Sequence, residues 1–147
     1  MFPTDTDNAP QSADLNPAVD LAAYHALIAE RIPIIMVSTG QYPNLDPMNP
    51  AALSHHIVTD LLRRQLGFQG AVMTDDLQRP TGHSPSEAAV FAALAGADIV
   101  FACSDPSGGE VAYSGLLQAA QTGRIPRAVI ETANAQIRGL KAQYATG

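Results

Sequence analysis

The 147-residue sequence predicts an α/β fold: about three parallel strands with flanking helices. Three apolar runs carry that expectation, IPIIMVS (32–38), AVMTD (71–75) and DIVFAC (98–103). Each is followed by a polar loop and then a helical pattern. Buried strands in that rhythm need crossover connections, which make neighbouring strands parallel. The length suits one domain, and the 46% apolar content can fill a core.

Residues 1–15 are rich in Asp, Asn, Ser and Pro and read as a loop arm, leaving 16–147 as the folded unit. A first helix is expected from Asn16 as cap and Pro17 in the first turn. Val19, Ala22, Ala23, Ala26 and Leu27 share one face of it. The first strand, a continuous β-branched run, reads as buried on both faces. The loop TGQYPNLDPMNP is stiffened by prolines. Ser54 can cap the next helix, in which Ile57, Val58, Leu61, Leu62 and Leu66 keep helical spacing and Gly67 suits the stop. Ser84 to Glu87 form a capping box before a helix ending at Gly96. The last two helices close the chain, the final one with a stripe of Val129, Ile130, Ala133, Ile137 and Leu140.

Charge excludes some functions. The net charge is −6 with eight Lys and Arg. That is no surface for nucleic acid, which needs a basic stripe against phosphates, nor for an anionic membrane. The single cysteine, Cys103, allows no internal disulfide and reads as a small buried hydrophobe. No apolar run is long enough to span a membrane. The first residues lack the pattern of a signal peptide. The default compartment is the cytoplasm, with an export signal upstream left open.

Chemistry concentrates in GFQGAVMTDDL, residues 67–77. Here an apolar strand ends on adjacent carboxylates, Asp75 and Asp76. Asp is common at strand ends as a turn and cap residue. Yet sites in parallel α/β folds lie beyond the carboxyl ends of the strands, where Asp75 stands. Ser38, Thr39, Ser104 and Asp105 are expected at the same end.

The stretch LLRRQLGFQGAVMTDDL resembles the nucleophile motif of glycoside hydrolase family 3, and the β-N-acetylhexosaminidase branch in particular. IPIIMVSTGQYPNLDPMNPAALS and SEAAVFAALAGADIVFACSDP resemble the neighbouring segments of that family. Ala71 and Gln78 depart from the commonest residues of the signature. The resemblance implies a partial (β/α)8 TIM barrel, the C-terminal part of the family's barrel domain. It implies a retaining β-N-acetylhexosaminidase-like activity on a carbohydrate substrate, with Asp75 as the catalytic nucleophile. Asp76 beside it is a candidate for substrate binding, for orienting Asp75 or for holding the turn. His83, in the following loop, is a second substrate-binding candidate.

The family's acid/base is an Asp-Ser-His unit near a KHFPGHG stretch. Phe2 and Pro3 are the only trace of that stretch here. Asp5 and Asp7 lack a His two residues on. The expectation is therefore a truncated form with low or no activity alone. The alternative is a non-catalytic partial-barrel relic with a structural or weak carbohydrate-binding role. Exposed sheet edges make a homo-oligomer an expected partner state.

The remaining candidates have plainer readings. His55 and His56 are adjacent and diverge on a helix, so they read as solvated surface. The glycines of DPSGGE read as turn chemistry before an anion site. Asp75 and Asp76 have no third carboxylate placed to share a cation. The reading includes no metal and no cofactor.

Overall fold

The computed structural model describes residues 12–145. The elements are α1 (Pro17–Asp20), α2 (Ala22–Ala29), β1 (Ile34–Val37), a 3-10 turn (Ala51–Leu53), a π-helix (His56–Gln65), β2 (Ala71–Asp76), α3 (Pro85–Ala95), β3 (Ile99–Phe101), α4 (Pro106–Gln121) and α5 (Arg127–Tyr144). The strands form one parallel sheet in the order β1-β2-β3. This is the expected α/β arrangement, a partial barrel with flanking helices.

Ile35 and Val72 point from the sheet into the main core, where they meet Val58, Leu62, Ala88, Ala89 and Ala92 of the helices. Burial of such side chains is the main stabilising term. The other sheet face is open. Ile34 and Met36 of β1 are 36% and 50% exposed, and Phe101 of β3 is 38% exposed. The reading of β1 as buried on both faces is therefore corrected: Ile35 faces the helices, while its neighbours point the other way along the pleat.

The first helix also differs from expectation. It breaks at Leu21 into α1 and α2. The residue that reaches the core is Leu21, and Ile28, two turns on, packs against the same cluster. Val19 and Leu27 remain 68% and 47% exposed. Alanines bury little area, so the larger Leu21 and Ile28 set the rotation of this segment.

Capping follows the sequence more closely. The Ser54 hydroxyl accepts from Ile57 N at 3.1 Å and opens the π-helix. Its turns are wide, with Leu66 N bonded to Leu61 O five residues back at 2.9 Å. Ser84 Oγ accepts from Glu87 N at 3.3 Å at the start of α3. The second half of that expected capping box is diverted. Both Glu87 carboxylate oxygens take the Arg124 guanidinium instead, at 3.0 and 2.7 Å. Gly96 ends α3 at φ 106°, a conformation that favours glycine. The α5 stripe of Val129, Ile130, Ala133, Ile137 and Leu140 is half-buried throughout.

At the amino end of the sheet, Arg63 ties the starts of β2 and β3 together. It donates to Gly70 O and Gly96 O, each at 3.1 Å, and to Asp98 Oδ2 at 2.5 Å. Asp98 Oδ2 also accepts from Val72 N at 2.8 Å. Burial pushes the Asp98 carboxyl above its usual range, against the pull of Val72 N–H and Arg63. This rigid base fixes where β2 emerges at its other end.

Candidate active site

The carboxyl end of β2 departs from regular pairing. Met73 pairs with Ile99, but the next pair is Asp76 with Phe101. Three steps on β2 thus match two on β3, so β2 carries an extra residue. Such a bulge bends the strand and re-aims side chains, and bulges are common beside active sites. Thr74 satisfies a backbone donor that the bulge displaces: its Oγ1 accepts from Phe101 N at 3.0 Å. An apolar residue there would leave that amide short of a partner.

The bulge separates the two carboxylates. Asp75 is half-buried, while Asp76 is 4% exposed. Asp75 Oδ1 accepts the Asp76 N–H at 2.7 Å. The Asp76 carboxylate turns inward. Its Oδ1 accepts from Gln78 N at 3.1 Å and Cys103 N at 3.2 Å. Its Oδ2 accepts from Ser104 Oγ and meets Cys103 Sγ at 3.7 Å. Burial alone would raise the Asp76 carboxyl, but the Ser104 hydroxyl and the N–H groups of Gln78, Cys103 and Ser104 outweigh it. They hold the group below the usual carboxylate range.

The loops from β1 and β3 complete this end. Ser38 Oγ accepts from Gly40 N at 2.8 Å, and Thr39 beside it is buried. Asp105 caps α4, accepting from Ser107 N at 2.8 Å. The Gln78 side chain accepts from Asp105 N at 3.0 Å and lies over Gly108. A Cβ at Gly108 would stand 2.1 Å from Gln78 Cδ, so this glycine serves close packing. Gln78, a departure from the family signature, thus docks the β3 loop.

Cys103 corrects its sequence reading. It is exposed, because it lies beyond the end of β3 and not within it. Desolvation and the nearby Asp76 carboxylate push its thiol up. His83 is exposed on the loop between β2 and α3. Its ring lies 4.8 Å from that of Phe91, and Arg124 stands over the same Phe91 ring at 5.4 Å. His55 and His56 are exposed, each with Nδ1 3.6 Å from Asp60 Oδ2. Among the described residues, no three His, Cys, Asp or Glu side chains gather to hold a metal ion. Phe2, Pro3, Asp5 and Asp7 lie outside the described residues.

Sequence reasoning placed Asp75 and Ser104 at one end but missed what joins them. Thr74 takes a backbone donor that the bulge displaces, and Ser104 ties the loop after β3 to the Asp76 carboxylate. No residue pattern announces a bulge, so neither role had a signal. Chemically, Asp75 is the more accessible of the two carboxylates that end β2. A held carboxylate of that kind can act as a nucleophile or a base.

Comparison with known proteins shows the family. Residues 4–140 match the family described as "Glycosyl hydrolase family 3 N terminal domain". The chain is 30% identical over 146 residues to an uncharacterized secreted glycosyl hydrolase of Arthroderma benhamiae, covering 94% of this chain and 41% of that one. It is 37% identical over 102 residues to a beta-hexosaminidase of Stenotrophomonas maltophilia, covering 67% of this chain and 30% of that one. Among solved structures, a family 3 beta-N-acetylglucosaminidase from Paenibacillus superposes with a TM-score of 0.92 at 28% identity, covering 98% of this chain and 29% of that one. A beta-N-acetylhexosaminidase from Beutenbergia cavernae gives 0.86 at 34% identity, covering 96% and 44%. The chain spans less than half the length of each of these relatives. With its parallel sheet and the motif ending on Asp75, the chain belongs to glycoside hydrolase family 3, in its hexosaminidase-like branch.

Proposed function

We propose that this chain carries the nucleophile side of a retaining glycosidase site for β-linked N-acetylhexosaminides, with Asp75 as the nucleophile. One observation carries the reading. Asp75 is the accessible carboxylate at the carboxyl end of the middle strand, inside the stretch that resembles the family's nucleophile motif. The substrate class follows from the hexosaminidase relatives. An Asp75 oxygen attacks the anomeric carbon as the bond to the leaving oxygen breaks. Water then releases the sugar from Asp75, and the second inversion restores the starting configuration.

The leaving oxygen needs a proton from an acid about 5–5.5 Å from the nucleophile. The sequence contains no Asp-Ser-His unit of the family kind. The chain alone is therefore expected to be slow on natural linkages, since general acid help is worth about 10²–10⁴-fold. His83, exposed on the loop leaving β2, is retained as a substrate contact at the rim. The Asp76 carboxylate is taken up by internal donors, so the proposal gives it no sugar contact. The second reading, a partial barrel that folds and associates without catalysis, draws support from the exposed Ile34, Met36 and Phe101.

An aryl β-N-acetylglucosaminide separates the two readings, because its leaving group needs little protonation. Slow turnover by the wild type that Asp75→Asn abolishes supports the nucleophile. Equal turnover by both proteins removes Asp75 from the mechanism, and no turnover by either favours the non-catalytic reading.

A further inference from the structure

The geometry points to Asp76 as a positioning residue: its carboxylate anchors the peptide whose N–H holds the Asp75 carboxylate in place for attack. This rests on Asp75 being the nucleophile. Three observations lead to it.

The first is a need. The bulge interrupts the β2–β3 ladder between Met73 and Asp76, immediately before the site. A strand end released from its ladder is free to bend. Backbone pairing resumes with Leu77 N on Phe101 O at 2.9 Å. Thr74 Oγ1 bridges the interruption by accepting from Phe101 N, and past Phe101, where β3 ends, side chains must hold the end of β2 to the loop that follows.

The second is that Asp76 meets the need. Oδ1 collects Gln78 N from its own turn and Cys103 N from the β3 loop. Oδ2 collects Ser104 Oγ and Cys103 Sγ from the same loop. One buried carboxylate thus staples the end of β2 to the segment after β3. A buried charge so well supplied with donors is strongly held, and it has little acceptor capacity left for a ligand.

The third is how the staple reaches the chemistry. The Asp76 backbone N–H donates to Asp75 Oδ1 at 2.7 Å. Among the described residues, Asp75 accepts a hydrogen bond on Oδ1 and none on Oδ2. The bond therefore selects which oxygen faces outward. Moving the Asp76 peptide would swing the Asp75 carboxylate, and small misplacements of a reacting group are costly.

The variants follow from donor chemistry. Asp76→Ala removes the staple. Asp76→Asn keeps it in outline: Oδ1 can still accept both amides, and Nδ2 can donate to Ser104 Oγ, whose hydroxyl turns to accept. Ser104→Ala removes one arm. Each is compared with wild type by turnover of an aryl β-N-acetylglucosaminide and by hydrogen exchange of the residue 76 amide.

For Asp76→Ala, kcat is expected to fall about 10²-fold with KM within about twofold. Exchange of the residue 76 amide should rise by about tenfold or more, reporting loss of the bond to Asp75. Asp76→Asn should recover most of both. If Asp76→Ala does not fold, Ser104→Ala carries the test, with a smaller drop in kcat and a smaller rise in exchange. A folded Asp76→Ala, or failing that Ser104→Ala, with unchanged kcat and amide protection overturns the proposal. A raised KM at unchanged kcat also overturns it, since Asp76 would then touch the sugar. Asp75→Asn as active as wild type would sink the nucleophile reading instead, while the exchange data still decide whether Asp76 holds the strand end.

Discussion

Asp75 Oδ1 accepts the Asp76 amide at 2.7 Å, while the Asp76 carboxylate turns away to Ser104 and the Cys103 amide. Adjacent like charges at a strand end are thus given different surroundings. One is left half-buried, and the other is buried among donors. The bulge before them lets the chain make that division.

Acid should expose the Asp76 contribution. Its folded pKa lies below the ordinary carboxylate value. On falling pH the unfolded chain binds the proton first, so the stability Asp76 supplies is present above the ordinary carboxylate pKa. It is lost as pH falls through the lower folded value. Urea midpoints measured from about pH 6 to about pH 2.5 should therefore drop with acid, and drop less steeply in Asp76→Asn. Parallel profiles for both proteins would contradict the assignment.

The base of the sheet should be fragile to loss of one charge. The Asp98 and Arg63 side chains are 3% and 19% exposed. Arg63→Met strands a buried carboxylate and should cost about 3–5 kcal/mol in urea unfolding. Adding Asp98→Asn should recover part of that loss, because the uncompensated charge is gone. A single Arg63→Met with wild-type stability would show that the pair holds nothing.

Two glycines give an opposed pair. A Cβ at Gly115 would stand 2.2 Å from Ser86 Oγ and 2.9 Å from Ser86 O, so α3 and α4 would have to part. Gly115→Ala should destabilise by about 1–3 kcal/mol. A Cβ at Gly139, within α5, meets nothing within 4 Å. Gly139→Ala should stabilise by about 0.5–1 kcal/mol through helix propensity. Thermal unfolding of both variants checks the sign of each.

These contacts also mark how far the sequence could be read. The strands were legible because β-branched runs and loop rhythm are local signals. Ser84 and Ser54 were legible because a cap acts within one turn. The α5 stripe followed from helical period alone. Arg63–Asp98 was not legible, since its partners lie 35 residues apart and meet only when β2 and β3 pair. Cys103 looked buried because DIVFAC reads as one strand, yet β3 stops at Phe101. For β1, apolar composition says that a strand exists but not whether both faces are covered. The place of Asp75 at the carboxyl end of the middle strand was legible from the strand pattern, and the bulge beside it was not.

The open sheet face should make the isolated chain associate. Among the described residues, the outer edges of β1 and β3 are unpaired, and Ile34, Met36 and Phe101 stand exposed beside them. Unpaired edges and apolar patches both drive association. Light scattering at tens of micromolar should report oligomers, and Met36→Lys should reduce them. A stable monomer in wild type would contradict this expectation.

A nucleophilic Asp75 forms a covalent bond to the sugar. The direct measurement is mass spectrometry of the protein quenched in acid during turnover of an aryl β-N-acetylglucosaminide. The wild type should gain the mass of one N-acetylhexosaminyl group, mapped by peptide digestion to Asp75, and Asp75→Asn should gain none. A sugar adduct on another residue, or aryl turnover by the wild type with no adduct under any quench, would contradict the account.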